Sequence, residues 1–287
     1  MDLPGISGAR SMFRRIWFSE DSSIGLRSKQ FVAFVIPRPL LVAAKKRYYA
    51  ALLKNPKTPR EADMEVLDQV VRPTDFALDI GAYVGFYTQR LSQLAGPSGE
   101  VWAFEPVPET FAVLSYAVRT LSLNNVRVFN LALSDSDGQA VMEIPTYRHG
   151  GESLYDARIV PTRSRPDLRA IPIQRRTLDS MLSGNGAPPR AVRFMKLDVE
   201  FHELQTICGA IDTIRRDHPV ILMEMLRTSD LSNSGPKLLN LLAVEGYKAF
   251  RCVDRKFVPC AADENCQNRF FLTRTHVAEF AQYVHWD

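Results

Sequence analysis

The sequence predicts an α/β, Rossmann-like fold: a mostly parallel seven-stranded sheet with helices on both faces, preceded by a helical N-terminal extension. Three observations predict it. From residue 76 onward, short apolar runs alternate with segments whose apolar residues recur at helical spacing, the pattern of a parallel sheet covered by helices. Two glycines, Gly81 and Gly85, follow the first of these runs, where such folds bring backbone up to a ligand. The chain has 287 residues, 46% apolar and 24% charged, enough to bury a full core. Residues 1–60 read as the extension and 61–287 as the domain.

The elements follow in order. Phe76–Ile80 is the first strand and Phe86–Leu94 its helix; Val101–Glu105 is the second strand. Pro108 and Glu109 open a helix, since proline suits a first helical turn, and Phe111, Leu114, Val118 and Leu121 repeat along one face until Asn124-Asn125. Val126–Leu133 is a third strand, and Ser134–Gly138 is a turn cluster leading to a strand-like Val141–Ile144. Phe194–Val199 is the fourth main strand, Glu203–Ile214 a helix, Val220–Met225 the fifth strand, and Lys237–Val244 a helix stopped by Gly246. Tyr247–Val253 and Arg269–Thr273 close the sheet as an antiparallel pair, because no helical period separates them. Pro145–Gln174 carries Gly150-Gly151, several prolines and five arginines, and reads as a long functional loop near the carboxyl ends of the strands. Its arginines suit either an anionic acceptor or solvent.

A net charge of +4 is spread along the chain rather than gathered, so nucleic acid is not implied as a partner. Four separate cysteines without a Cys-x-x-Cys pair read as reduced thiols of a cytoplasmic protein, not a zinc site. Residues 30–44 are apolar but short and broken by Pro37, Arg38 and Pro39, too short to span a bilayer. A helix packed on the domain is the expectation. With Arg10, Arg14, Arg15, Trp17, Arg27 and Lys29 upstream, a peripheral membrane contact is the alternative.

The stretch Leu78–Thr88 carries the chemistry. Asp79 ends a strand, Gly81 permits a sharp turn, and Gly85 admits a ligand at the start of a helix. Glu105 ends the next strand, where a carboxylate can accept from both hydroxyls of a ribose. A dinucleotide needs Gly-x-Gly-x-x-Gly around its pyrophosphate and no adjacent carboxylate. Gly81-x-x-x-Gly85 with Asp79 two residues upstream instead suits a ligand bearing an ammonium and a sulfonium.

Six segments, taken in order, resemble the FkbM-type methyltransferases: Asp79–Thr88, Val101–Glu109, Leu131–Asp135, Gly151–Leu154, Arg176–Asp179 and Lys196–Glu200. The resemblance covers about residues 70–225. It implies a class I methyltransferase fold binding S-adenosylmethionine, with O-methylation of a small-molecule or carbohydrate acceptor. It places Asp79, Gly81 and Gly85 at the methionine end and sulfonium, Glu105 on the ribose, Ser134 and Asp135 facing the adenine, and Asp198 and Glu200 where methyl meets acceptor. Two departures stand out. The family usually has Asn where this chain has Tyr83, and Gly-Ala at Phe201-His202. Tyr83 can pack on the cofactor, and Phe201 reshapes the acceptor pocket.

An alcohol acceptor benefits from a base, and the candidates, in order, are His202, Asp198, His149 and Glu200. Asp198 and Glu200 lie on one side of an ideal strand, so Mg²⁺ is an alternative occupant, though no metal is the expectation. Lys196 and Glu224, within apolar strands, form a buried pair or an active-site wall. A non-catalytic scaffold and a nucleic-acid methyltransferase are the competing functions; the intact Asp79, Glu105 and Asp135 argue against the first, and the missing Asn-Pro-Pro-aromatic motif against the second.

Overall fold

The computed structural model describes residues 37–58, 61–145, 154, 157–160, 168–184, 190–225, 234–261, 264 and 266–286. His149 and the basic residues upstream of Pro37 lie outside them, as does most of the Gly151–Leu154 motif. The described chain opens with helix α1 (Arg38–Lys54), then two single turns, α2 (Ala62–Glu65) and α3 (Leu67–Val70). The Rossmann-like body follows as β1 (Phe76–Ile80), α4 (Phe86–Ala95), β2 (Glu100–Phe104), α5 (Pro108–Thr120) and β3 (Val126–Phe129). Next come β4 (Ala132–Leu133), β5 (Gly138–Ile144), β6 (Arg158–Val160), β7 (Arg169–Arg176) and α6 (Leu178–Leu182). The body resumes with β8 (Val192–Leu197), α7 (Glu203–Cys208), α8 (Ile211–Asp217), β9 (Val220–Glu224) and α9 (Ser234–Val244). It closes with β10 (Tyr247–Val253), β11 (Lys256–Pro259), β12 (Asn268–Thr273) and α10 (Arg274–Glu279).

The main sheet has the order β11-β10-β12-β9-β8-β1-β2-β3. β1 lies between β2 and β8, parallel to both, and β8 is parallel to β9. β12 joins β9 antiparallel and β10 joins β12 antiparallel, as the closing pair was expected to. The eighth strand is the addition: β11 returns on β10 through Asp254-Arg255, both in the left-handed region with φ of 48° and 61°. That is the two-residue hairpin geometry whose twist matches its strands, formed here without the Asn-Gly that usually signals it.

Three further corrections have local causes. The expected third strand breaks after Phe129, where Asn130 turns its amide to Glu105 O and Pro106 O at 2.8 and 3.1 Å. Residues 132–133 then join a second sheet of order β4-β7-β5-β6, and of the described residues in the expected loop 145–174, 158–160 and 169–174 are strand. In β7, Ile171 and Ile173 point inward while Pro172 and Gln174 face out, the period of two that a half-buried strand requires. The expected helix 203–214 is two helices. A Cβ on Gly209 would lie 1.8 Å from Ser134 O, so the chain bends there to let the two backbones touch.

Alternate residues of the central strands feed two cores. Leu78, Ile80, Trp102, Phe104, Met195 and Leu197 face one side, and Ala77, Val101, Phe194 and Leu222 the other. A third cluster, including Val107, Met142, Ile144, Ile171 and Ile173, lies under the second sheet. Helix α1 begins at Arg38 directly after Pro37 and packs against α5, burying Ala50 and Leu53. Among the described residues no helix is long and apolar enough to cross a membrane.

Candidate active site

The carboxyl ends of β1, β2 and β8 open onto a cleft walled on the far side by the second sheet. Its lining includes Gly81, Tyr83, Glu105 and Val107, then Asp198, Val199, Glu200 and His202, and also Met142, Leu154 and Ile159. The strand order reverses at β1, where such sheets bind ligands.

The glycine turn is built by close approach. Gly81 has φ of 78°, and a Cβ there would lie 1.8 Å from Asp198 O, so the turns after β1 and β8 meet backbone to backbone. Gly85, with φ of 99°, starts α4, and a Cβ there would lie 2.9 Å from Leu114 Cδ1. Tyr83 is also left-handed, φ 50°, a conformation Asn adopts more readily than Tyr. Its N–H donates to Glu105 Oε2 at 3.0 Å, while Val107 N–H donates to Oε1 at 2.9 Å. Burial pushes the Glu105 carboxyl up to about 8 against those two bonds. The Tyr83 ring meets Tyr49 of α1 edge-on at 6.1 Å, so the N-terminal helix reaches the cleft wall.

Asp79 lies beneath this floor, fully buried and outside the cleft lining. Its Oδ2 accepts from Thr88 Oγ1 at 2.5 Å, and Oδ1 has no hydrogen-bond partner among the described residues. Burial raises its pKa, opposed chiefly by Lys196. Lys196 is buried, with Nζ 3.2 Å from Asp198 Oδ2, 3.5 Å from Gly81 O and 4.9 Å from the Tyr87 ring centroid. Its pKa is raised, since Asp198 and Asp79 together outweigh the largest single effect, burial, which lowers it. Lys196 and Glu224 therefore do not pair with each other: Lys196 belongs to the cleft floor, and Glu224 Oε1 accepts from Gln267 Nε2 at 2.8 Å.

β8 ends at Leu197, so Asp198 and Glu200 stand in the following turn and not on an ideal strand face; both nevertheless line the cleft. Glu200 and Phe201 are consecutive left-handed residues, with φ of 47° and 71°. Such positions cost roughly 1–3 kcal/mol each and persist only where surroundings impose them. Here Glu203 Oε1 accepts the Phe201 N–H at 3.2 Å, and the Arg158 guanidinium lies 4.9 Å over the Phe201 ring, tying the second sheet to this turn. Among the described residues no three His, Cys, Asp or Glu side chains gather as a metal site.

His202 is buried and lines the cleft, with Nε2 3.0 Å from Ser134 Oγ. Burial pushes its pKa down to about 4; Asp135 opposes and Arg175 adds to the shift. Ser134 and Asp135 are thus placed beside His202 and outside the cleft lining. The Arg176–Asp179 motif holds architecture together, as Asp179 Oδ1 accepts from Thr213 N and Oγ1 at 2.9 and 2.6 Å.

A model of the methyltransferase FkbM domain matches residues 79–249, more than half of the chain. The chain belongs to the FkbM methyltransferase family. The methyl donor of FkbM methyltransferases is S-adenosylmethionine. Among solved structures, similar chains include the methyltransferase FkbM from Methylobacillus flagellatus KT, 15% identical, with a TM-score of 0.45. That alignment covers 80% of this chain and 58% of the other, so this chain spans less than two thirds of that relative's length. A SAM-dependent methyltransferase from Aquifex aeolicus is 17% identical over 73% of this chain and 88% of its own, with a TM-score of 0.40. An rRNA methylase from Streptococcus thermophilus is 12% identical over 76% and 96%, also with a TM-score of 0.40. Comparison with curated proteins returned no match.

Glu203 also supplies a stability prediction for this FkbM domain. Burial, reinforced by Asp198, pushes its pKa from 4.5 up to about 7. An acid raised in this direction stabilises the fold fully below 4.5, and that contribution is lost as pH rises through 7. Glu203→Gln keeps an acceptor for the Phe201 N–H without the buried charge. The variant is expected to match wild type in thermal midpoint at pH 4.5 and exceed it at pH 8.5, by about 3 kcal/mol at most, one pKa unit being worth ~1.4. Equal midpoints at both pH values would contradict it.

Proposed function

We propose that this methyltransferase transfers a methyl group from S-adenosylmethionine to a hydroxyl oxygen of a small-molecule or carbohydrate acceptor. The observation that carries the reading is that one cleft is lined both by the glycine turn with Glu105 and by Asp198, Glu200 and His202. Gly81 and Tyr83 bring backbone to the cleft, and the Glu105 carboxyl keeps lone pairs for ribose hydroxyls. His202, neutral because it is buried, stands in the same lining.

When bound, the cofactor supplies an electrophilic methyl carbon. The chain's own part is chiefly alignment, because in-line displacement gains most from holding the reacting atoms in register. The apolar residues Met142, Leu154 and Ile159 shield the cleft from water, and His202 serves as the base. Asp198 is paired with Lys196 at 3.2 Å, and Glu200 lines the same cleft.

Calorimetric titration of the full chain with S-adenosylmethionine tests the first half. Glu105→Ala is expected to weaken binding by about 5- to 100-fold, since two ribose hydrogen bonds worth ~0.5–1.5 kcal/mol each are lost. Labelled methyl donor offered with monosaccharides, uronic acids, polyols and an RNA oligonucleotide tests the second. Label on a hydroxyl compound supports it, label on RNA alone overturns the acceptor class, and no binding by folded wild type overturns the whole reading.

A further inference from the structure

We infer that Ser134 and Asp135 are positioning residues that hold His202 in its Nε2–H tautomer, so that Nδ1 accepts the proton of the acceptor hydroxyl. The inference rests on the methyl-transfer reading above, but the hydrogen-bond arithmetic stands apart from it. Ser134 Oγ lies 3.0 Å from His202 Nε2 and 3.2 Å from Asp135 Oδ1. A serine hydroxyl has one proton to give, and an ionised carboxylate can only accept. If the hydroxyl donated to Nε2, two acceptor oxygens would face each other at 3.2 Å. The arrangement in which every contact joins a donor to an acceptor runs Nε2–H to Oγ, and O–H to Oδ1. One ring nitrogen of a neutral imidazole carries the proton, so Nδ1 is left as the acceptor. It has no hydrogen-bond partner among the described residues.

Several features keep the relay in place. Thr206 donates through both N–H and Oγ1 to the His202 carbonyl at 3.0 Å. Ser134 N–H donates to Arg176 O at 2.9 Å, and Gly209 packs on the Ser134 carbonyl. Arg175 of β7 stands 3.6 Å from Asp135 Oδ1. Burial keeps the ring neutral. The step balances: the acceptor oxygen takes the methyl group, the C–S bonding pair returns to sulfur, and the O–H proton passes to Nδ1. A methyl ether, a thioether and an imidazolium result.

The test is nitrogen NMR of the full chain labelled with 15N-histidine, with His202→Gln identifying the signal among the five histidines. The expected spectrum at pH 7 shows Nε2 protonated and Nδ1 bare. Asp135→Asn gives a side chain that can also donate, which lets the Ser134 hydroxyl turn to Nε2. Because Asp135 is half exposed, this variant should fold where Ser134→Ala, at a fully buried site, risks not folding. Asp135→Asn is expected to mix the tautomers and lower kcat at least about fivefold; His202→Gln should cost ~100-fold in kcat, the lower range for a general base. A wild-type spectrum with Nδ1 protonated, or an Asp135→Asn spectrum identical to wild type, overturns the inference. Failure of S-adenosylmethionine to bind at all would instead overturn the methyl-transfer reading while leaving the tautomer measurable.

Discussion

Gly81→Ala is expected to abolish S-adenosylmethionine binding and to destabilise the fold by about 4 kcal/mol or more, the range reached only when a mutation meets a specific steric or electrostatic conflict. Two costs add. A left-handed alanine costs roughly 1–2 kcal/mol by itself. The larger cost is the new methyl group, placed 1.8 Å from Asp198 O. Neither partner is a flexible side chain, so the turns after β1 and β8 must separate, and with them the cleft floor that Gly81 and Asp198 share. Gly246→Ala isolates the first cost: Gly246 has φ of 86° but nothing within 4 Å of a Cβ, so it should lose only about 1–2 kcal/mol and bind normally. Chemical denaturation and calorimetry on both variants decide the matter. A Gly81→Ala protein as stable as Gly246→Ala, with binding intact, would show that the turns are not in contact.

The same turn explains how much of the site was legible before any coordinates. Gly81 and Gly85 form the turn after β1 and Glu105 follows β2, because strand ends and a sharp glycine turn are local properties; Asp79 lies beneath the cleft floor and not in its lining. β1, β2 and α5 followed for the same reason. What was not legible depends on approaches between distant segments. His202 reads as a histidine after a strand; only the fold brings it to Ser134, 68 positions earlier. Gly209 looks like a mid-helix glycine until Ser134 O is found against it. The strand Arg169–Arg176 was hidden because Ile171 and Ile173 alternate only briefly around Pro172, and its partners β4 and β5 come before an arginine-rich stretch that reads as loop. The alternation was the available signal. Tyr49 carried none: its contact with Tyr83 follows from α1 packing on α5, which no spacing reveals.

Lys196→Met is expected to cost about 3–5 kcal/mol, the usual penalty for stripping one partner from a buried charge pair. Lys196 is the cation among Asp79, Asp198 and Glu61, and Asp79 has no exposure through which water could replace it. The methionine fills the same volume, so the loss is electrostatic rather than a cavity. The sign with pH follows from Asp79, whose folded pKa already lies above its unfolded value and rises further without the ammonium. Protonation then relieves the buried charge, so the variant's deficit should shrink toward pH 4 and widen as pH rises above that raised value. Adding Asp79→Asn to Lys196→Met removes the uncompensated anion, and the double variant should be more stable at pH 7 than the single one, the positive coupling expected of groups in one network. A single variant within 1 kcal/mol of wild type, or a double variant no better than the single, would mean that Lys196 is held by its packing on Tyr87 and not by the carboxylates. Only the electrostatic account makes the deficit depend on pH. It also predicts that Lys196→Met weakens S-adenosylmethionine binding less at pH 5 than at pH 8, because the Asp198 turn that meets Gly81 relaxes only when its counter-ion is gone and the carboxylates beneath it are charged.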